Sequence, residues 1–327
     1  MKILLDAGQS PRGWHRLEAF MRCPTLYAIQ RPGTVMEAAR AGTFPEDVAA
    51  QWREARDRAA ASAAGSAPLA RGSLYHIGLA HHYARIGAAQ SGGLTIEGVH
   101  HTDPNAFYAP VEAATVAAHR AENPVWLEQL PVVVEGLEAY ADHWDGRESL
   151  RPLAVEEVWW LRFKPDPSDP QGELPLGQGR YDLSYRVDLV AEDARGRVYF
   201  IDHKTTGYYK SGGLSHARYY ARTGQFVGYK WLGTLHYGER FAGTILNLVQ
   251  LRPGAVRFAR PPLEPVPSRI KHFPHHCCEA EDRLAMWIER TLKEGLSPLD
   301  WPGYPSEFSC ETRYGPCPAV DLCDWGF

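Results

Sequence analysis

The chain has 327 residues, 44% hydrophobic and 23% charged, which is enough material for a sizeable core in one large domain or two modest ones. A formal net charge of -4 excludes a globally basic nucleic-acid binder, so any such contact must come from a local patch. No apolar run approaches the roughly 18 residues needed to span a bilayer, and "MKILLDAGQSPRG" is too short and polar for a signal peptide. The expected location is therefore the cytoplasm, where six cysteines read as thiols or metal ligands before disulfides. No Gly-x-x-x-x-Gly-Lys-Ser/Thr loop occurs, so nothing suggests an intrinsic ATP motor.

In chain order, Ser10-Pro11 predicts a helix start, with Leu17, Phe20 and Met21 near helical spacing in "WHRLEAFMRCPTLYAIQ". An Ala-rich helix is expected over Glu46 to Ala64, broken by "AGSAPLARG" and resumed in "SLYHIGLAHHYARIGAAQ". A further helix spans Val125 to Trp144, with a kink expected near Pro131. Residues 1–150 thus read as mostly helical. "LAVEEVWWLRF" is β-branched and aromatic and reads as a strand, followed by a Pro/Gly loop from Lys164. Two strands joined by "EDARG", one helix over "ARYYARTGQFVGYKWLGTLHYG" and a strand "FAGTILNLVQLR" complete a sheet-and-helix part at 151–252. Residues 253–268 read as irregular and proline-rich, and a last helix at "EAEDRLAMWIERTLKEG" leads into a cysteine-bearing tail. The expectation is one α/β domain over 1–327, with a central mixed sheet flanked by helices, a helical N-terminal elaboration and a tail at 253–327.

The two strands at 184–206 carry the chemistry. If their turn centres on Arg195, facing residues have numbers summing to about 390, so Asp188 lies opposite Asp202 on one sheet face. Opposed carboxylates repel unless something compensates. A hard divalent cation, Mg²⁺ or Mn²⁺, is the natural partner of such oxygens. Lys204 shares that face with Asp202 and could hold water or a phosphate oxygen, and the His203 carbonyl could also reach the metal. Asp182 has the same strand parity but would pair near Tyr208, outside the motif, and Asp-x-Lys alone also describes an exposed ion pair. Gln225 and Tyr229 stand four apart on one helix face, and His76 lies in an upstream helix where His81 and His82 compete with it.

Cys310, Cys317 and Cys323 cluster in the tail as C-x6-C-x5-C, and Cys23 stands in "RCPTLY" near the other end. Four such thiolates can complete a Cys₄ site for zinc or iron–sulfur, and spacing does not separate the two. His275, His276, Cys277 and Cys278 look metal-like, but four consecutive residues rarely converge on one ion.

In order and spacing these residues resemble the RecB-like branch of the PD-(D/E)xK nuclease superfamily. The likeness is to its iron–sulfur members, which include the nuclease domain of AddB and the CRISPR-adaptation exonucleases. The resemblance runs from Cys23 through His76, Asp188, Asp202-x-Lys204 and Gln225-x-x-x-Tyr229 to the three tail cysteines. It implies a restriction-endonuclease-like core, a DNA exonuclease dependent on Mg²⁺ or Mn²⁺, and single-stranded DNA ends as substrate. It further implies His76, Asp188 and Asp202 as metal ligands, Lys204 as the catalytic lysine, and Gln225 and Tyr229 beside the DNA. Cys23, Cys310, Cys317 and Cys323 would hold a [4Fe–4S] cluster that clasps the tail to the N-terminal helix. Relatives usually show C-x2-C at the first tail gap, where this chain has six intervening residues. A stand-alone member of this kind suits recombination, repair or phage and CRISPR DNA processing, in a bacterial or phage-infected cell, with a recombination or CRISPR-adaptation protein as partner. Two rivals are an idle DNA-binding or assembly subunit and a zinc-clasped structure-specific endonuclease.

Overall fold

A computed structural model describes residues 2–5, 12–39, 42–163, 181–207, 213–303, 311–312 and 315–316. Helices α1 (Trp14–Arg22) and α2 (Pro24–Gln30) are separated at Cys23, an extended N-cap with proline following it at the first helical position. After α3 (Gly33–Ala38) comes α4 (Glu46–Ala64), with the expected bounds and with Glu46 and Asp47 at the positive end of its dipole. Ser66 then caps α5 (Ala67–Ala89) by accepting from Leu69 N, so the break between these helices is two residues wide and not the whole of "AGSAPLARG".

Within the stretch read as helical lies an unexpected hairpin, β1 (Leu94–Ile96) and β2 (Val99–His101). Its two-residue loop, Glu97-Gly98, has positive φ at both positions, the geometry that closes tight hairpins. Next come α6 (Pro110–Arg120) and α7 (Pro124–Trp144), the latter capped by the Asn123 side chain accepting from Val125 N at 2.9 Å. Pro131 lies inside α7 without ending it.

Strands β3 (Arg151–Phe163), β4 (Tyr181–Glu192) and β5 (Val198–Thr206) follow. The helix expected over 217–238 is two helices, α8 (Leu214–Tyr220) and α9 (Gly224–Tyr237). Thr223 separates them: its backbone is extended and its hydroxyl donates to the Tyr220 carbonyl at 2.9 Å, which competes with helical bonding. β6 (Phe241–Arg252) has the expected bounds. The stretch after it, read as irregular, holds β7 (Ala255–Ala259) and β8 (Pro262–Leu263), both antiparallel to β6. Pro253 and Gly254, the latter at φ +68°, form the turn into β7, which propensity alone did not suggest. The last long helix, α10 (Pro267–Glu294), begins 12 residues before Glu279, because Pro267 is pre-organised for a first turn.

Eight of the described strands form one mixed sheet in the order β2-β1-β3-β4-β5-β6-β7, with β8 also on β6. Antiparallel β4 and β5 pair from Leu189↔Ile201 to Glu192↔Val198, a register that sums to 390. β5 and β6 are parallel, with Asp202↔Leu246, His203↔Asn247 and Lys204↔Leu248 opposite each other, and α8 and α9 make the crossover.

Contacts divide the chain into two compact units, each built from separated stretches and not from consecutive segments. The first (1–13, 66–161 and 182–273) holds most of the sheet. On one face Leu189, Ala191, Ile201, Val249 and Leu251 pack with α5, α6 and α7 into the main core. On the other, Phe200 meets Tyr229 of α9 edge-on at 6.0 Å. The second unit (14–65, 162–181 and 274–327) is built around Phe20, Tyr27, Trp52 and Trp301. There Tyr27 stacks on Trp301, Trp301 Nε1 donates to Thr291 Oγ1 at 2.8 Å, and Trp52 Nε1 donates to the Leu296 carbonyl at 2.9 Å. The fold is mixed α/β, a central mixed sheet flanked by helices.

Candidate active site

The β4–β5 hairpin turns through Asp193-Ala194-Arg195-Gly196-Arg197. The Asp193 carboxylate accepts from both the Arg195 and Arg197 amides, and Gly196 takes φ +74°. A type I turn followed by a left-handed glycine fixes hairpin register. One step beyond the last ladder pair, Asp188 and Asp202 face each other. There the side chain replaces the ladder: His203 N donates to Asp188 Oδ2 at 2.8 Å.

Asp202 is fully buried. Its Oδ1 accepts from Gln225 Nε2 at 2.8 Å, and Lys204 Nζ lies 2.5 Å from its Oδ2. That buried Oδ2 takes the Lys204 ammonium as its charge-assisted partner. Burial pushes the Asp202 carboxyl up to about 6, against the pull of Lys204, and Asp188 adds to the rise. Burial likewise raises Asp188, opposed by Lys204 and by the His203 amide. For Lys204, burial works against its charge, yet the two carboxylates outweigh it and hold the ammonium at about 12. One lysine therefore serves two acids.

His76 on α5 reaches the same place, with Nδ1 3.5 Å from Asp188 Oδ2. Burial and then the Lys204 charge depress it to about 4, so at neutral pH it is a neutral imidazole, and it also hydrogen-bonds the His203 backbone. Its rivals lie elsewhere: His81 Nε2 accepts from Leu5 N at 3.0 Å, and His82 packs its ring on Tyr83 and Tyr140. Asp182 is set apart too, 3.8 Å from Arg12.

Gln225 and Tyr229 come from α9. Gln225 Nε2 also donates to Tyr229 Oη at 3.2 Å, and Tyr229 Oη donates to the Arg186 carbonyl at 2.6 Å. Tyr229 is buried, and burial followed by the two acids raises its hydroxyl well above the usual range, so it stays a phenol. Gly228 lets α9 come this close, since a Cβ there would stand 2.8 Å from the Tyr185 ring and from Phe273.

His76, Asp188, Asp202, Lys204, Gln225 and Tyr229 are thus brought together. No three His, Cys, Asp or Glu side chains among the described residues already stand as a cation cage, and Lys204 occupies the flank of Asp202. Of the four cysteines expected in a clasp, Cys23 is described, buried and free of any disulfide. Cys310, Cys317 and Cys323 lie outside the described residues. Cys277 and Cys278 are buried in α10.

Behind the site, sequence reading missed Asn247, Arg260 and Glu148. Asn247 could have been found as the lone amide in the apolar run "TILNLV", and it faces His203 across the β5–β6 pair.

Two acids of a hairpin, with a lysine two residues beyond the second, share one face of a mixed sheet. The family model for the PD-(D/E)XK nuclease superfamily matches residues 14–324, and the chain belongs to that superfamily. Its sheet and helices are those of the restriction-endonuclease-like core. No curated protein matches the chain. No helix among the described residues is long and apolar enough to cross a membrane.

Proposed function

We propose that this nuclease-superfamily chain is a metal-dependent deoxyribonuclease, an exonuclease acting on single-stranded DNA ends in recombination, repair or phage and CRISPR DNA processing. The observation that carries the hydrolytic reading is the buried Asp202 carboxylate. Gln225 holds one of its oxygens, and the charged Lys204 stands against the other.

The donors suit a hard cation: the carboxylates of Asp188 and Asp202, the neutral imidazole of His76 and the His203 carbonyl. Mg²⁺ or Mn²⁺, when bound there, would stabilise the attacking and leaving oxygens of the phosphodiester. Lys204, held charged by the two carboxylates beside it, is placed to orient water or a phosphate oxygen. Gln225, braced by Tyr229, keeps the Asp202 carboxylate in one rotamer.

The preference for single-stranded ends, the recombination or CRISPR-adaptation partner and the cytoplasmic location rest on the resemblance and on composition. So does the [4Fe–4S] clasp at Cys23, Cys310, Cys317 and Cys323, for which a structural Zn²⁺ is the other occupant. The test is an end-labelled strand assay with Mn²⁺ on anaerobically purified protein. Progressive shortening of single strands by wild type, absent in Asp202→Ala, is expected. Cuts confined to a branched junction would instead favour a structure-specific endonuclease. DNA binding without any cleavage would make the chain an idle subunit.

A further inference from the structure

The imidazole of His203 points away from Asp202, into the core under α5 and α7. It is buried, stacked on Tyr83 at 5.6 Å and set edge-on to His76 at 6.0 Å. Its Nδ1 lies 2.7 Å from Asn247 Nδ2. The amide of Asn247 cannot turn over, because Arg260 Nε donates to its Oδ1 at 3.2 Å while its Nδ2 donates to Tyr140 Oη at 2.9 Å. An amide so held presents N–H to the imidazole, so His203 Nδ1 must accept and Nε2 must carry the ring proton.

Arg260 is fixed in turn. Its guanidinium forks onto Glu148, with Nη1 to Oε1 at 3.0 Å and Nη2 to Oε2 at 2.8 Å. Nη2 also donates to Tyr83 Oη at 2.6 Å and Tyr140 Oη at 2.8 Å, and the group lies 3.4 Å above the Trp144 ring. A largely buried ion pair is a poor route to stability, since desolvation offsets most of its attraction. Its use is to specify geometry.

That geometry leads to the acids. The His203 amide is the donor to Asp188, its backbone meets His76, and its peptide neighbours are Asp202 and Lys204. A ring pinned by stacking and by the Asn247 amide anchors the His203 main chain from which it hangs, and with it all four groups. We propose that Glu148, Arg260 and Asn247 form a positioning relay that fixes the tautomer and rotation of His203, and so the peptide on which Asp202 and Lys204 are set. The relay rests on the nuclease reading only for its kinetic consequence.

The test uses full-length protein without added cation, labelled with ¹⁵N-histidine, and a His203→Asn sample to assign the ring signals. Wild type should show His203 at neutral pH as a single neutral Nε2–H tautomer. Asn247→Ala should replace it by a tautomer mixture, and should lower kcat by about tenfold or more while leaving KM for DNA nearly unchanged. Arg260→Lys, which keeps the charge but loses the fork, should move both readouts the same way. Leu251→Ala on the same strand is the control: it opens the core and removes none of the relay's side-chain hydrogen bonds, so its folded fraction should keep full kcat and the wild-type tautomer. If Asn247→Ala does not fold, Arg260→Lys and Glu148→Gln carry the same comparison. An unchanged His203 tautomer in the relay variants, or a kcat equal to that of Leu251→Ala, overturns the proposal. A wild-type protein that cleaves no DNA would sink the nuclease reading instead, and the tautomer spectrum would still decide the relay.

Discussion

Lys204 Nζ stands 2.5 Å from Asp202 Oδ2, and the same ammonium is the main positive charge opposing the burial of Asp188. Two carboxylates buried side by side raise each other's cost of ionisation, which is the electrostatic reason to expect a metal there. Asp202→Ala should therefore abolish strand cleavage while the protein remains folded, because Lys204 keeps Asp188 as its counter-charge. Asp188→Ala should do likewise, and Asp182→Ala should retain substantial activity. Cleavage rates and thermal melts on the three purified variants decide it, and reversed outcomes for Asp182 and Asp188 would displace the site.

Lys204→Ala and His76→Ala should fail in different ways. The ammonium orients water or phosphate, so its loss should depress turnover with little change in the Mn²⁺ needed for half-maximal rate. The imidazole is a donor to the cation, so its loss should raise that concentration. Mn²⁺ titrations of both variants separate the two roles, and an unchanged Mn²⁺ dependence in His76→Ala would remove His76 from the ligand set.

Acid should destabilise the protein through His81. Burial depresses it to about 4 from 6.5, and its Nε2 must stay unprotonated to accept from Leu5 N. Between those values the unfolded chain binds a proton that the native state refuses. This contribution is therefore intact above pH 6.5 and is lost progressively as pH falls toward 4, by about 3 kcal/mol at most. Denaturant melts of wild type and His81→Gln from pH 7.5 to 4.5 measure it. Parallel curves would mean that His81 titrates normally. The raised Asp202 carboxyl works with the opposite sign: its penalty is present above pH 6 and is relieved as pH falls toward 4.

Gly228→Val should cost of order 2 kcal/mol and lower activity, since the added side chain must displace Tyr185 or Phe273 and push α9 off the sheet. A melt with wild-type midpoint would show that the helix has room to spare.

The cysteine clasp is tested by composition. Anaerobically purified protein should contain iron and sulfide and absorb broadly in the visible, and Cys23→Ser should lose soluble yield before it loses chemistry. Cys277→Ala should keep the metal content of wild type. One zinc per chain without iron would leave a clasp of another kind, and four native thiols open to alkylation would remove it.

What the sequence made legible follows from period and register. The acids of the hairpin could be paired by arithmetic, because Gly196 and Asp193 set the turn and strand parity does the rest. Only the resemblance singles out His76 among three nearby histidines, since helical spacing cannot say which residue reaches a sheet more than a hundred positions onward. Arg260 stayed hidden for a related reason: its partners Glu148, Tyr83 and Tyr140 are scattered through the chain, and nothing local in "RFARPP" announces a buried guanidinium. The break at Thr223 and the strands after Gly254 were lost to side-chain and turn bonding that propensity does not register.

The turn from Asp193 to Arg197 is bound on every side. Asp193 accepts from two amides, Arg197 Nε donates to it at 2.8 Å, and Arg240 Nε reaches the Gly196 carbonyl at 3.2 Å. This loop lies five residues along its strand from each acid, and it works as a gauge block that meters how far the two strands slide. One residue inserted there would send either Asp188 or Asp202 through the sheet to the side packed by α5, α6 and α7, so that the two acids no longer face each other. Evolutionary and engineered length changes should be tolerated in many surface connections of this protein, and this five-residue bend is where tolerance should end.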